Sequence, residues 1–416
     1  MASEHTSGVP SITHSAPCGR YSIISQVVCF YTSNCQFGEF ISIGQTRTAM
    51  YPDILTAAQI GFAVTFVCAI ALIATQNFHG RLTLDYTGGV QKVHKNPTSR
   101  IGGLAIAIGF AAVLFIVEND IWELWALIGL SGLPVLIFGL GEDITGKVGV
   151  RARLLSSFAA GLIFCFASGY TITRIDIPGI DYLMTFSVVS LAFSVIAIGG
   201  VTNAVNMIDG FHGLASGTVI LILAAIAIVA ARVGDETLVG LAIIMAAVVA
   251  GFFLVNFPFG KIFLGDAGAY FCGYVVAVLA VMLPARNPEV SPWVSLLILG
   301  YPVTETLVSI ARRIREKGHH PGAPDSAHLH HVIFQSWARL VAKKLNWVSA
   351  NPLASVFSWG LPIFTLISVQ GIDLQTPESI MQLGMTVSIY IVVYRLLLPL
   401  VPNSTYPPGS TQTQLR

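Results

Sequence analysis

Apolar residues fall along this chain in long blocks and not in alternation. From Ile54 onward eleven stretches of roughly 16–22 residues are predominantly apolar: Ile54–Thr75, Ile101–Val117, Ile121–Leu140, Leu154–Thr171, Tyr182–Gly200, Leu214–Ala231, Leu238–Val255, Gly268–Leu283, Val294–Ile310, Leu353–Ile372 and Ile380–Val401. A helix needs about 20 residues to cross the hydrocarbon core of a bilayer. The pattern therefore predicts an all-α polytopic membrane protein with about eleven transmembrane helices. Residues 1–49 are rich in Ser and Thr and lack a basic segment followed by an apolar core, so no signal peptide is expected there. They are expected to be a disordered extension, with Met50 as an alternative start, ahead of a membrane domain over 50–402 and a disordered tail over 403–416.

Composition agrees with this reading. The chain is 54% hydrophobic and 10% charged, with mean hydropathy +0.74, whereas soluble domains carry roughly 25% charged residues. A net charge of +1 gives no pull towards nucleic acid. The six cysteines show no CxxC spacing, and Cys68, Cys165 and Cys272 sit inside apolar stretches as small core residues.

The distribution of Lys and Arg matters more than the total. One set of alternate loops holds fifteen: four between Arg81 and Arg100, three between Lys147 and Arg153, Lys261 alone, and seven between Arg312 and Lys344. The other set holds Arg174, Arg232 and Arg286. Basic loops stay in the cytoplasm, so the first set is expected inside, with the N-terminus outside and the C-terminus cytoplasmic.

The same loops carry the chemistry. Val201–Gly217, VTNAVNMIDGFHGLASG, sets Asn203, Asn206, Asp209 and His212 three apart, on one face if helical. Polar residues between apolar blocks are costly unless they meet water or a ligand. The first basic loop, KVHKNPTSRIGG, offers Lys92, His94, Lys95 and Arg100 as a lip for phosphate. The second, GLGEDITGKVGVRARLL, pairs Glu142 with Asp143 ahead of Arg151 and Arg153. Paired carboxylates can bind a metal or take a proton. The fourth, NFPFGKIFLGDAGAY, brings Asn256, Lys261, Phe263 and Asp266 together, a set suited to a flat base and a hydrated Mg²⁺. The fifth clusters His328, His330 and His331 after Asp325. Zinc and a phosphate-facing cluster both suit these residue types, although HxHH is not a zinc-ligand spacing. Each loop alone reads as easily as a basic helix end, a salt-bridged turn or a packed re-entrant loop. Five together point to one site at the cytoplasmic membrane surface, transferring a phosphoryl group between a soluble nucleotide compound and a lipid.

The motifs PTxRxGG, NAxNxxDG, NxxxxxxFxGDxG and HLHH, spread from about Ile54 to Val401, resemble those of the polyprenyl-phosphate N-acetylhexosamine-1-phosphate transferases, glycosyltransferase family 4. That family includes the peptidoglycan phospho-N-acetylmuramoyl-pentapeptide transferase. The resemblance implies a multi-pass protein of the bacterial inner membrane. It would move a sugar-1-phosphate, in most members N-acetylhexosamine phosphate, from a UDP-sugar to undecaprenyl phosphate. UMP would be released and a cell-surface glycan begun, with Mg²⁺ (or Mn²⁺) as cofactor; a homodimer is compatible with it.

By the same resemblance, Glu142 and Asp143 stand near the lipid phosphate, Asn206 and Asp266 at Mg²⁺ and pyrophosphate, and Asn256 and Phe263 at the uracil. His328, His330 and His331 stand near the substrate phosphates, and Arg153 at a phosphate-binding position. Asp209 and His212 lie in the NAxNxxDG region. Within the acidic pair, Asp143 is expected to be the base and Glu142 part of the polar frame. Two residues depart from the family pattern: Glu142 replaces an Asp, and His212 replaces a second acid. Glu142 keeps the charge but shifts its reach, while His212, with HLHH, weighs against the peptidoglycan enzyme. Glu305 stands where the family often has Asp. A transporter of an anionic solute is the rival from another class. It would place its polar groups near the midplane of repeated halves, and no repeat is visible.

Overall fold

Every apolar stretch expected to cross a membrane is helical, but not every one is a straight span. The computed structural model describes residues 40–85, 98–315, 327–344 and 350–401. Lys92, Lys95, Lys317, residues 1–39 of the N-terminal extension and the tail from residue 402 lie outside the described residues. The membrane domain belongs to the compact unit that begins at Pro52. The helices are α1 (Phe40–Ala74), α2 (Gln76–Thr83), α3 (Gly102–Val113), α4 (Asn119–Ser131), α5 (Leu133–Thr145), α6 (Val150–Ser168), α7 (Ile180–Met184), α8 (Ser187–Met207), α9 (Leu214–Val233), α10 (Glu236–Asn256), α11 (Gly265–Arg286), α12 (Pro292–Ile298), α13 (Gly300–Arg315), α14 (Leu329–Ile333), α15 (Arg339–Lys344), α16 (Asn351–Ser358), α17 (Gly360–Gly371) and α18 (Thr376–Leu397). The sole strands among the described residues are a two-residue antiparallel ribbon, Leu84–Asp85 with Thr98–Ser99.

This is an all-α polytopic membrane protein. Eight segments are long and apolar enough to cross a bilayer, ten if each of two bent pairs counts as one span. The bent pairs are α4 with α5, at 45°, and α12 with α13, at 78°. Ile101–Val117, the second of the eleven expected spans, is not among these ten. Its helix α3 has 12 residues, about 18 Å at 1.5 Å per residue, which is short of the core thickness. The breaks follow from proline. Pro134, Pro302 and Pro362 cannot donate to the carbonyl four residues back, and their rings crowd it. Those carbonyls belong to Leu130, Ile298 and Ser358, at or next to the last residue of α4, α12 and α16.

Helix α11 is the centre. It lies against α8, α5, α3 and α9, and every residue from Ala267 to Leu283 is buried. A helix that is apolar all round must be enclosed by other helices. Its N-terminal turn is approached closely by α3, where a Cβ on Gly103 would stand 2.2 Å from the Gly268 nitrogen.

The alternate loops separate onto two faces. On one, the PTSRIGG segment bonds to loop four: Phe263 N–H donates to the Ser99 carbonyl at 2.8 Å, and Gly103 N–H to that of Leu264 at 2.8 Å. Gly213 N–H in loop three donates to Asn256 at 2.5 Å. On the other face the three sparse arginines act as staples. Arg286 pairs with Asp235 at 2.7 Å and reaches Tyr170 at 2.9 Å. Arg232 donates to the carbonyls of Val369 and Ile372, and Arg174 to those of Pro288 and Val290. The motif loops thus share one face, opposite the stapled one.

Candidate functional site

The site is built on the first turn of α11. Gly265 has φ +73°, the left-handed region that favours glycine. A Cβ there would come within 1.8 Å of the Arg100 carbonyl oxygen and 2.7 Å of Asp143 Oδ2. The first amides of a helix have no partner inside it. Asp143 supplies one: Oδ1 accepts from Asp266 N–H and Oδ2 from Ala267 N–H, each at 2.9 Å. Asp143 is 3% exposed. Both its carboxylate oxygens accept backbone N–H bonds in the turn that presents Asp266. Arg100 in turn donates to the carbonyls of Glu142 and Asp143 at 3.3 and 3.4 Å, a cation at the C-terminal end of α5 where the helix dipole favours one. Glu142 is partly exposed, and its Oε2 accepts from Val148 N–H at 2.8 Å, shaping the turn after α5.

The carboxylate of Asp266 then points to two neighbours. Oδ1 accepts from Asn206 Nδ2 at 3.0 Å, and Oδ2 pairs with the Arg153 guanidinium. Helices α6, α8 and α11 each contribute one of these three residues. Tyr270, which the sequence reading gave no role, and Asn203 complete the layer. Tyr270 donates to Asn203 Oδ1 at 3.2 Å, and its ring lies 6.0 Å from the Arg153 guanidinium carbon. Their signal was present as helical spacing: Tyr270 is one turn beyond Asp266, and Asn203 one turn before Asn206. Asp209 follows α8, its carboxyl pushed up to about 7 by desolvation, with the nearby Asp143 charge adding to it.

The residues expected from the sequence to hold a nucleobase lie on the adjoining loops. His212 and Phe263 are partly exposed, with ring centroids 5.9 Å apart and planes tilted by 31°. His212 Nδ1 meets the Pro258 carbonyl at 3.0 Å. Asn256 is buried, and its amide is engaged at both ends: it accepts from Gly213 N–H and donates to the Ile262 carbonyl at 2.6 Å. It ties loop three to loop four.

The three motif histidines pack beneath the Asp209–His212 turn. Phe211 meets His330 and His331 edge-on at 5.4 and 5.2 Å, and a Cβ on Gly210 would lie 3.1 Å from His330 Nε2. All three imidazoles are buried, and burial beside the other two histidines holds His330 well below the ordinary imidazole range. Among the described residues no group of three or more His, Cys, Asp or Glu side chains is placed to hold a metal ion. A Mg²⁺ site makes a lesser demand: one or two carboxylates, with waters and substrate phosphates completing the shell. Asp266, half-open and beside the Asn206 amide, fits it.

The profile of glycosyl transferase family 4 matches residues 125–284, which span the whole Glu142–Asp266 framework. Over 246 residues the chain is 30% identical to the probable undecaprenyl-phosphate N-acetylglucosaminyl 1-phosphate transferase of Bacillus subtilis, covering 58% of this chain and 67% of that one. This chain belongs to glycosyl transferase family 4. Other members are similar at lower identity. It is 25% identical to the decaprenyl-phosphate N-acetylglucosaminephosphotransferase of Mycolicibacterium smegmatis, over 62% of this chain and 70% of that one. It is 28% identical to the phospho-N-acetylmuramoyl-pentapeptide-transferase of Clostridium botulinum, over 63% and 82%.

Proposed function

We propose that this family 4 member transfers an N-acetylhexosamine-1-phosphate from a UDP-sugar to undecaprenyl phosphate at the cytoplasmic face of the bacterial inner membrane. The observation that carries the reading is the Arg153–Asp266–Asn206 cluster on the capped N-terminus of the buried central helix. The Arg153 guanidinium in that cluster is a donor suited to phosphate.

In the reaction, an oxygen of the lipid phosphate forms a bond to the β-phosphorus of the UDP-sugar. The bond from that phosphorus to the bridging oxygen breaks, and UMP leaves. The second pKa of a phosphomonoester is near 6, so the nucleophile is largely dianionic at pH 7 without a strong base. Positioning and charge stabilisation dominate such transfers. Arg153 stabilises phosphoryl charge, Asp143 fixes the turn that presents Asp266, and Asn256 fixes the loop that presents Phe263 and His212 to the base. Asp266 and Asn206 would hold Mg²⁺, or Mn²⁺, whose charge would offset that of the phosphates. The face carrying fifteen basic residues against three supports the cytoplasmic side.

The test is purified protein with undecaprenyl phosphate, Mg²⁺ and a panel of UDP-sugars that includes UDP-N-acetylglucosamine and UDP-N-acetylmuramoyl-pentapeptide. Release of UMP with the first and not the second is expected; release with none would overturn the reading. Topology is checked separately. In a cysteine-free background, single cysteines at the exposed positions Lys147 and Lys261 should resist an impermeant thiol reagent in intact cells, while one at Glu289 on the stapled face should label. Labelling of the first two would invert the orientation.

A further inference from the structure

Glu305 lies in α13 and is fully buried, 0% exposed. A carboxylate is that deeply buried only where donors satisfy it. Here the donors come from the histidine motif. Oε1 accepts from His328 Nδ1 at 3.0 Å and from Leu329 N–H at 3.1 Å, and Oε2 from the same amide at 3.2 Å. Seven residues on, and on the same face of α13, Arg312 donates to the Ala327 carbonyl at 2.7 Å and to Tyr394 Oη at 3.0 Å. Tyr394 donates to that same carbonyl at 3.0 Å. One helix therefore grips the three residues Ala327, His328 and Leu329 by two charged side chains.

The grip does more than hold the backbone. A carboxylate can only accept, so the Nδ1 facing it must carry the proton. That fixes the tautomer and leaves Nε2 as the nitrogen through which His328 can act. The neighbouring His330 has no such partner. Its Nδ1 is buried without a hydrogen bond, although its ring lies 5.4 Å from that of His328 and nearly parallel to it. The two imidazoles are thus differently equipped: one is backed by an anion, the other is not.

We propose that Glu305 is a positioning residue for the transfer reaction, acting through His328 by fixing its Nδ1–H form. This rests on the transferase reading for its consequence in rate, but not for the tautomer itself. A Glu and an Asp serve this purpose alike. A Gln does not, because its amide oxygen would take the Leu329 N–H and its NH₂ would donate to Nδ1, forcing the proton to Nε2. The same substitution logic applies to the carboxylate of a catalytic triad.

The experiment is ¹⁵N NMR of the full chain labelled at histidine in a lipid nanodisc, with His328→Gln to assign the signal, read beside UMP release. The parent and Glu305→Asp should show His328 protonated at Nδ1, and Glu305→Asp should keep activity within a few-fold. Glu305→Gln should move the proton to Nε2 and lower kcat by about 10²-fold, in the range typical of acid–base groups, with the thermal midpoint close to that of Glu305→Asp. A parent spectrum with the proton on Nε2 overturns the proposal, as does an unchanged tautomer in a folded Glu305→Gln. Equal activity losses in the Asp and Gln variants would make the role structural only. Should Glu305→Gln fail to fold, the parent tautomer and the Asp variant still decide. Should the parent release no UMP, the transferase reading fails and the tautomer result stands by itself.

Discussion

Asp266→Asn should abolish most UMP release, lowering kcat by about 10²–10³-fold, while the protein remains folded. The residue sits where the site's interactions converge: one oxygen on Asn206, the other on Arg153, and its own amide on Asp143. Asparagine has the same shape and suits the first turn of a helix nearly as well, so the backbone bond to Asp143 survives. What is lost is the charge. Arg153 is left without its counter-ion and free to pair with substrate phosphate in an unproductive pose, and the half-open carboxylate beside Asn206 is gone. Removing one electrostatic contact to a phosphoryl-transfer centre typically raises the barrier by about 3–4 kcal/mol. The side chains of Asp266 and Arg153 are 22% and 15% exposed, so water screens part of any stability change. Thermal unfolding of the variant should shift little. Activity within a few-fold of the parent would remove Asp266 from the proposed site.

Asp143→Asn should be nearly as damaging, and Glu142→Gln nearly silent. The reason lies in the number of acceptors. Asp143 offers two oxygens to two adjacent amides at 2.9 Å. Asparagine offers one oxygen and turns an NH₂ group towards the second amide, leaving a buried donor unsatisfied at a cost of about 1–3 kcal/mol. The first turn of α11 then shifts, and Asp266 shifts with it. A displacement of about 1 Å at a reacting centre can lower the rate 10²-fold. Glu142 uses one oxygen, on Val148 N–H, at a partly exposed turn, and glutamine retains that acceptor. The pH profile separates the two roles considered for Asp143. If it were a base, the defect would shrink between pH 6 and 9 as the lipid phosphate lost its proton unaided. As the cap of α11, it is needed whatever the protonation of the substrate, and the defect should not shrink. UMP release by both variants across that range decides.

Much of the protein is legible before folding is considered. Apolar blocks of about 20 residues determine membrane helices, because a bilayer leaves backbone amides no other partner. The bias of Lys and Arg to alternate loops, and the recurrence of acids, amides and histidines in those same loops, place the candidate residues on one face. That arithmetic depends only on sequence order. The placing of Asn203 and Asn206 on one face likewise follows from helical periodicity, whereas Asp209 lies beyond the end of α8.

Tertiary structure decided what those residues do with one another. Block length does not show that Pro134 and Pro302 bend two spans, nor that α3 stops after 12 residues, since apolar content is blind to where a carbonyl loses its donor. Residue type does not show that Asp143 faces two amides 123 and 124 positions away, or that Asn256 is engaged at both ends. A carboxylate and an amide can each serve as ligand, base or brace, and only the identity of the atoms 3 Å away selects among them. The same holds for Glu305. As a lone acid in an apolar stretch it was ambiguous, and it gained a role only when folding brought His328 to it.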